Sequence, residues 1–228
     1  MKKITIIIPV FNEEEALPTL YTRLNEISNM ITNYELEFLF INDGSKDNSL
    51  EIIKELRSKD KRISYVDFSR NFGKETAMIA GMDYSTGDAV IFLDADLQDP
   101  PELIPELIKY WEQGYDEVYA KRRSRRGETL FKKFTSKMYY KVLQSLTGIE
   151  IQRDTGDFRL LDKRCVNALK KMRESQRCSK SMFSWIGYNK KEVLYDRDPR
   201  IAGKTKWNYS KLMDLAIDRN NIIYNFTS

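Results

Sequence analysis

Asp94 and Asp96 stand one residue apart directly after the apolar run Ala89-Val90-Ile91-Phe92-Leu93, so two carboxylates close a segment that reads as a buried strand. Side chains alternate faces along a strand, but in the turn beyond it two carboxylates can aim at one hard cation. A divalent cation can in turn hold a diphosphate. Aspartates at strand ends also cap turns and helices, and Asp99-Pro100 fits that role, with Asp99 as an N-cap and Pro100 at the first helical position. That role leaves Asp94 and Asp96 without a structural task.

Composition narrows the chemistry. The 228 residues contain no histidine, which removes Ser-His-Asp triads, Cys-His nucleophiles, histidine-ligated zinc and histidine general bases. Catalysis must then use carboxylates, Lys, Arg, Tyr or a metal. Cys165 and Cys178 are too few for a disulfide framework or a zinc site and read as reduced. The net charge is +4, yet Lys121, Arg122, Arg123, Arg125, Arg126, Lys132, Lys133, Lys137 and Lys141 crowd one stretch. Such a cluster suits phosphates, nucleic acid or an anionic membrane surface, and a solvated helix face explains it as well. The segment from Leu130 to Leu146 mixes Lys with Phe, Tyr, Met and Leu, as a helix at a membrane interface or a core helix with a basic outer face would.

With 41% hydrophobic residues the chain can bury one sizeable core, and one domain is expected. The opening Met1-Lys2-Lys3 leads into Ile4 to Pro9, too short an apolar run for a signal peptide, so the chain is expected in the cytoplasm. No run approaches the ~18 apolar residues of a membrane span.

The elements that must position the acids follow from periodicity. Lys3 to Pro9 reads as a strand, and Asn12 as the cap of a helix with Glu13, Glu14 and Glu15 in its first turn, where the dipole favours acid. Leu36 to Ile41 is a strand ending in Asn42-Asp43-Gly44-Ser45. Asp47 or Ser45 caps a helix with Leu50, Ile53 and Leu56 on its apolar face. Ile63 to Phe68 is a strand, Glu75 to Tyr84 a helix, Ala89 to Leu93 a strand, and a helix runs from Pro100 to Gly114. This alternation predicts an α/β fold with a doubly wound, mainly parallel sheet. The loops Pro9 to Asn12, Asp43 to Ser45, Ser69 to Lys74 and Asp94 to Asp96 then share the carboxyl-end rim, where such sheets bind ligands. Neither a Gly-x-Gly-x-x-Gly fingerprint nor a P-loop is present to meet phosphate. Beyond residue 120 the alternation decays.

Six ordered segments carry a resemblance: Ile7-Ile8-Pro9-Val10-Phe11-Asn12-Glu13-Glu14, Asn42-Asp43-Gly44-Ser45, Ser69-Arg70-Asn71-Phe72-Gly73-Lys74, Asp94-Ala95-Asp96-Leu97-Gln98-Asp99-Pro100-Pro101, Asp157-Phe158-Arg159 and Arg200-Ile201-Ala202-Gly203-Lys204-Thr205-Lys206-Trp207. Over nearly the whole chain it resembles family 2 glycosyltransferases with the GT-A fold, and within them the polyprenyl-phosphate glycosyltransferases. The Gln-x-x-Arg-Trp of processive polysaccharide synthases is absent. The resemblance implies a catalytic domain over 1–218, with a nucleotide-sugar half (1–120) and an acceptor half with membrane-proximal helices (121–218). It implies that Pro9, Asn12, Glu14, Asp43, Gly73, Lys74 and Asp94 bind the nucleotide, and that Asp94, Asp96 and Gln98 hold Mg²⁺ or Mn²⁺. Asp157 is implied as the catalytic residue, and Arg122, Arg200, Lys204 and Lys206 as the grip on an acceptor phosphate.

The implied reaction moves glucose or N-acetylglucosamine from a UDP-sugar to a polyprenyl (undecaprenyl) phosphate with inversion. The implied location is peripheral, on the inner face of the cell membrane. A phosphate monoester has a second pKa of about 6, so proton removal contributes little and Asp157 is expected to orient substrate or stabilise charge rather than act as a base. A family 2 enzyme acting on a protein or glycan, and a nucleotide-sugar-binding remnant without turnover, remain open, as does a homo-oligomer. No nucleic-acid partner is expected, since the basic stretch carries no recognised binding motif. The tail 219–228 departs from the Gly-Ile-Thr-Ser-Phe-like entry to transmembrane helices expected of the family after Ala216-Ile217-Asp218. A one-base frameshift or a split gene accommodates that departure; deliberate truncation is plainer but leaves the altered residues unexplained.

Overall fold

A computed structural model describes residues 1–123, 155–172 and 179–196. The described elements are β1 (Lys2–Val10), α1 (Leu17–Met30), β2 (Tyr34–Asn42), α2 (Ser49–Lys59), β3 (Ile63–Asp67), α3 (Lys74–Tyr84), β4 (Ala89–Phe92), a 3₁₀ turn (Pro101–Leu103) leading into α4 (Ile104–Glu112), β5 (Glu117–Arg122), β6 (Thr155–Asp162), α5 (Lys163–Lys171), α6 (Ser179–Trp185) and β7 (Lys190–Tyr195). The strands form one sheet in the order β3-β2-β1-β4-β6-β5-β7. β1 to β4 are mutually parallel, β6 runs antiparallel to both β4 and β5, and β7 is parallel to β5. The sheet is therefore mainly parallel, as the alternation predicted.

Both faces are covered, which is why the parallel strands read as unbroken apolar runs. Along β1, Ile4, Ile6, Ile8 and Val10 pack on one side with Leu17, Leu20, Leu24 and Ile27 of α1 and Leu107 and Trp111 of α4. Ile7 faces the other side with Ala77, Met78 and Met82 of α3 and Val166 and Leu169 of α5. Each such side chain contributes about 1.5–3 kcal/mol on leaving water, which makes this sandwich the main source of stability. Pro9 is tolerated inside β1 because β1 pairs with β4 only as far as Ile7 and Phe92, so its missing N–H falls where that neighbour has ended.

Several local expectations are corrected. Asn12 does not cap α1: the helix starts at Leu17 with no acid in its first turn and no side-chain cap, and Asn12 sits at φ 53. Glu13, Glu14 and Glu15 lie in the turn before it. The N-cap of α2 is Asn48, although Asp47 accepts the Ser49 amide at 3.0 Å. Asp99 caps no helix. Pro100 is extended at φ −72, ψ 119, and the 3₁₀ turn has no side-chain cap. β5, β6 and β7 were not foreseen as strands. Cys165 is buried with a free thiol, as expected; Cys178 lies outside the described residues, as do Leu130 to Leu146, Arg200, Lys204, Lys206 and the tail 219–228. Among the described residues, no helix is long and apolar enough to cross a membrane.

Candidate active site

The carboxyl ends of the parallel strands share one rim, and the antiparallel β6 brings its amino end to the same rim. Phe92 of β4 pairs with Arg159 of β6, so two residues further on Asp94 meets Asp157 across the strand gap. Lys74, the first residue of α3, closes the triangle. Its Nζ lies 2.5 Å from Asp94 Oδ1 and 2.6 Å from Asp157 Oδ2. Three predicted residues from separate elements thus meet at one point. Burial works against the lysine's charge, but the two carboxylates outweigh it and hold the ammonium above its ordinary pKa. Asp94 is pushed up to about 6, chiefly by burial, with Lys74 opposing and Asp157 and Asp99 adding to the rise.

Asp96 is buried in the turn after β4 and accepts the Gln98 amide at 3.1 Å. Leu97 takes a left-handed conformation at φ 60 while its side chain is fully buried, so packing offsets a backbone cost of about 1–2 kcal/mol. Carboxylate oxygens are the hard donors that Mg²⁺ and Mn²⁺ prefer, and the Lys74 ammonium beside Asp94 shows a position that draws positive charge. Among the described residues no group of three or more His, Cys, Asp and Glu is arranged to hold a metal. Asp94 and Asp96 supply two such oxygen donors from one turn, fewer than a complete all-protein cage needs.

Carboxylate-to-backbone bonds stitch the loops after β1, β2 and β3 together. Asp43, 3% exposed at the end of β2, accepts the Phe72 amide at 2.7 Å, the Gly73 amide at 2.9 Å and Asn71 Nδ2 at 2.9 Å. Those bonds fix the loop that delivers Lys74, and Gly73 at φ 95 makes its final turn. Gly44 is required too: at φ 65, a Cβ there would lie 2.3 Å from the Arg70 carbonyl carbon. Asn12 Oδ1 accepts the Lys46 amide at 2.7 Å, Ser45 Oγ accepts the Asn12 amide at 3.0 Å, and Glu14 Oε2 accepts the Asn48 amide at 2.9 Å. Asn12 and Glu14 thus tie the loop after β1 to the loop after β2.

On the other side of Asp157, buried side-chain charges take over. Arg159 and Glu117 are both fully buried, with Nη1 to Oε1 at 2.6 Å, and Lys190 reaches the second Glu117 oxygen at 3.2 Å. The Arg159 guanidinium also lies 4.0 Å from the Phe183 ring centroid and donates to the Gly156 carbonyl at 2.9 Å. Arg122, at the end of β5, donates through Nε to Tyr195 Oη at 3.4 Å. Burial opposes its charge, yet Tyr195, Asp99 and Asp94 raise its pKa above the ordinary value. Glu117 and Tyr195 carry no sequence signal, while Asp99 was read for a cap through its proline.

A family model described as glycosyl transferase family 2 matches residues 5–169. An uncharacterised glycosyltransferase of Synechocystis sp. is 50% identical over 216 residues, covering 95% of this chain and 68% of the relative. A prophage bactoprenol glucosyl transferase homolog of Escherichia coli is 44% identical, covering 95% and 70%. The chain spans about two thirds of the length of these relatives. Among solved structures, mannosyl-3-phosphoglycerate synthase from Rubrobacter xylanophilus matches 98% of this chain and 73% of its own at a TM-score of 0.66 and 12% identity. Glucosyl-3-phosphoglycerate synthase from Mycobacterium tuberculosis, solved with Mn²⁺, UDP and phosphoglyceric acid, matches 96% and 75% at 0.60 and 18%. The sheet order, the acid pair after β4 and these likenesses converge: the chain is a GT-A glycosyltransferase and belongs to glycosyl transferase family 2.

Proposed function

We propose that this chain transfers a sugar from a UDP-sugar to a polyprenyl phosphate, with glucose preferred over N-acetylglucosamine and undecaprenyl phosphate as acceptor. The observation that carries this reading is the Asp94–Lys74–Asp157 triangle, where an acid of the turn after β4, an acid of β6 and a lysine ammonium share one point of the rim. The bactoprenol glucosyl transferases among the relatives support the acceptor class. The Mn²⁺ and UDP in the Mycobacterium tuberculosis enzyme support the donor and the metal.

Asp94 and Asp96, assisted by Gln98, would hold Mg²⁺ or Mn²⁺, which when bound neutralises charge on the departing diphosphate as a Lewis acid. The chain's own groups do the rest. Pro9, Asn12, Glu14 and Asp43 line the base and ribose crevice. Asp43 spends three of its roughly four acceptor directions on the loop that carries Lys74, so nucleotide binding and loop closure act on one carboxylate. Lys74 can exchange its carboxylate partners for diphosphate oxygens, and Gly73 lets the backbone approach them. Arg122, with Arg200, Lys204 and Lys206, grips the acceptor phosphate, arginine being suited to a bidentate hold. The phosphate attacks the anomeric carbon from the face opposite the diphosphate, inverting the configuration, at the inner face of the cell membrane.

Asp157 orients the sugar or stabilises charge developing at the anomeric carbon, because the acceptor phosphate needs no base near neutrality. Transfer of labelled glucose from UDP-glucose to undecaprenyl phosphate in detergent, with Mn²⁺ and with chelator, tests the reaction; no labelled lipid with Mn²⁺ refutes it. In the same assay Asp157→Asn should lower kcat by at least tenfold at every pH. A loss that recovers as pH rises would restore the base role.

A further inference from the structure

Tyr195 closes β7, and its register partner on β5 is Arg122. Its side chain is buried at 5% exposure, so its hydroxyl must find protein partners. That hydroxyl donates to Oδ1 of Asp99, itself buried just after the Asp94–Asp96 turn. It also accepts from Arg122 Nε at 3.4 Å. The tyrosine ring packs edge-on against Phe158, the neighbour of Asp157, with centroids 6.5 Å apart at 89°. A Cβ on Gly156 would lie 3.6 Å from both Arg122 Nη2 and Asp99 Oδ2, so the guanidinium and the carboxylate flank the backbone leading into Asp157. One side chain therefore touches the acidic turn, the end of β5 and the start of β6.

We propose that Tyr195, anchored by Asp99, is a positioning residue that holds the Arg122 guanidinium at the rim in the orientation that receives the acceptor phosphate. The proposal rests on the reading of Arg122 given above. The bond order has one workable direction. Arg122 can only donate and an ionised Asp99 can only accept, so the phenol must pass its proton toward Asp99 and offer its lone pair to Nε. Tethering through Nε leaves the two terminal nitrogens as the donors still able to form a fork for a phosphate, with Nη2 beside Gly156 at the start of β6. Because Asp99 follows directly on Asp96 and Gln98, the turn assigned to the diphosphate and the cation assigned to the acceptor share one hydrogen-bonded link.

The test is calorimetric titration with farnesyl phosphate, a water-soluble polyprenyl phosphate, in the presence of UDP and Mn²⁺. Tyr195→Phe keeps the ring and its contact with Phe158 and removes only the hydroxyl. We expect farnesyl phosphate affinity to fall about fivefold, the scale of one hydrogen bond, with UDP affinity unchanged within about twofold. Arg122→Lys should weaken farnesyl phosphate about tenfold or more. The double variant should be no weaker than Arg122→Lys alone, since the hydroxyl acts through the arginine. An additive double variant, a Tyr195→Phe that leaves farnesyl phosphate binding intact, or a parallel loss of both affinities overturns the positioning role. Absence of farnesyl phosphate binding by the unsubstituted chain, or indifference to Arg122→Lys, overturns the acceptor reading and the proposal with it. Should Tyr195→Phe fail to melt cooperatively, Asp99→Asn replaces it. That variant retains an acceptor oxygen for the phenol, loses the anchoring charge and is held to the same split between the two affinities.

Discussion

The two sides of the rim are held together by different means. On the side of β1 to β3, carboxylates and amides near the strand ends accept bonds from the backbone of neighbouring loops, as Asp43 does from Phe72 and Gly73 and Asn12 from Lys46. On the side of β5 to β7, fully ionic side chains pair across buried strands, as Arg159, Glu117 and Lys190 do. The first arrangement fixes loops that must fit a ligand yet stay near water. The second places charge in the interior, where removal of one partner leaves the other desolvated and uncompensated.

The comparison breaks most visibly at Glu117. Glu117→Ala should cost about 3–5 kcal/mol in urea unfolding, because it strands Arg159 in the core; a loss under about 1 kcal/mol would mean that the side of β5 to β7 does not depend on its buried ions. Asp43→Ala should cost less, about 1–3 kcal/mol for two part-buried amides losing their acceptor. It should also weaken UDP binding through the loop that carries Lys74, so a destabilised variant with normal UDP affinity would separate the loop from the nucleotide.

The smallest effects are in pH dependence, and they have opposite signs on the two sides. Arg62, between α2 and β3, hydrogen-bonds Asp60 and, despite burial, holds its carboxyl below the ordinary value. The stability this contributes is fully present above the ordinary aspartate pKa of about 3.9 and is lost as pH falls through the folded value. In α5, burial, aided by Asp116 and Glu117, pushes the Cys165 thiol up to about 12. Its contribution is full below the ordinary thiol pKa of about 8.5 and is lost as pH rises toward the folded value. Unfolding series should therefore show a shallower acid limb for Asp60→Asn and a shallower alkaline limb for Cys165→Ala. Unchanged slopes in both would erase this part of the contrast.

The same division decided how far the sequence could be read. β1 to β4 were legible because burial on both faces leaves runs such as Ile4 to Ile8 and Ala89 to Leu93, punctuated by Asn42-Asp43-Gly44 and Gly87-Asp88. β5, β6 and β7 were not, because Glu117, Asp157, Arg159 and Lys190 interrupt their apolar pattern. Those charges are tolerated inside only because partners arrive from distant strands, Arg159 finding Glu117 42 residues away. The caps misread at Asn12 and Asp99 failed for a related reason. Both side chains were claimed by loops or strands remote in the chain, Asn12 by Lys46 and Asp99 by Tyr195.

By itself the sequence determined the α/β order of the first half, the absence of histidine chemistry and the acid pair waiting at a strand end, since all three follow from local composition and period. Only the tertiary structure decided that β6 runs against its neighbours, that Asp157 therefore stands opposite Asp94 with Lys74 between them, and that Tyr195 joins Asp99 to Arg122. Strand direction and long-range pairing are set by the summed burial and charge compensation of the whole sheet, and no short window of residues contains that sum.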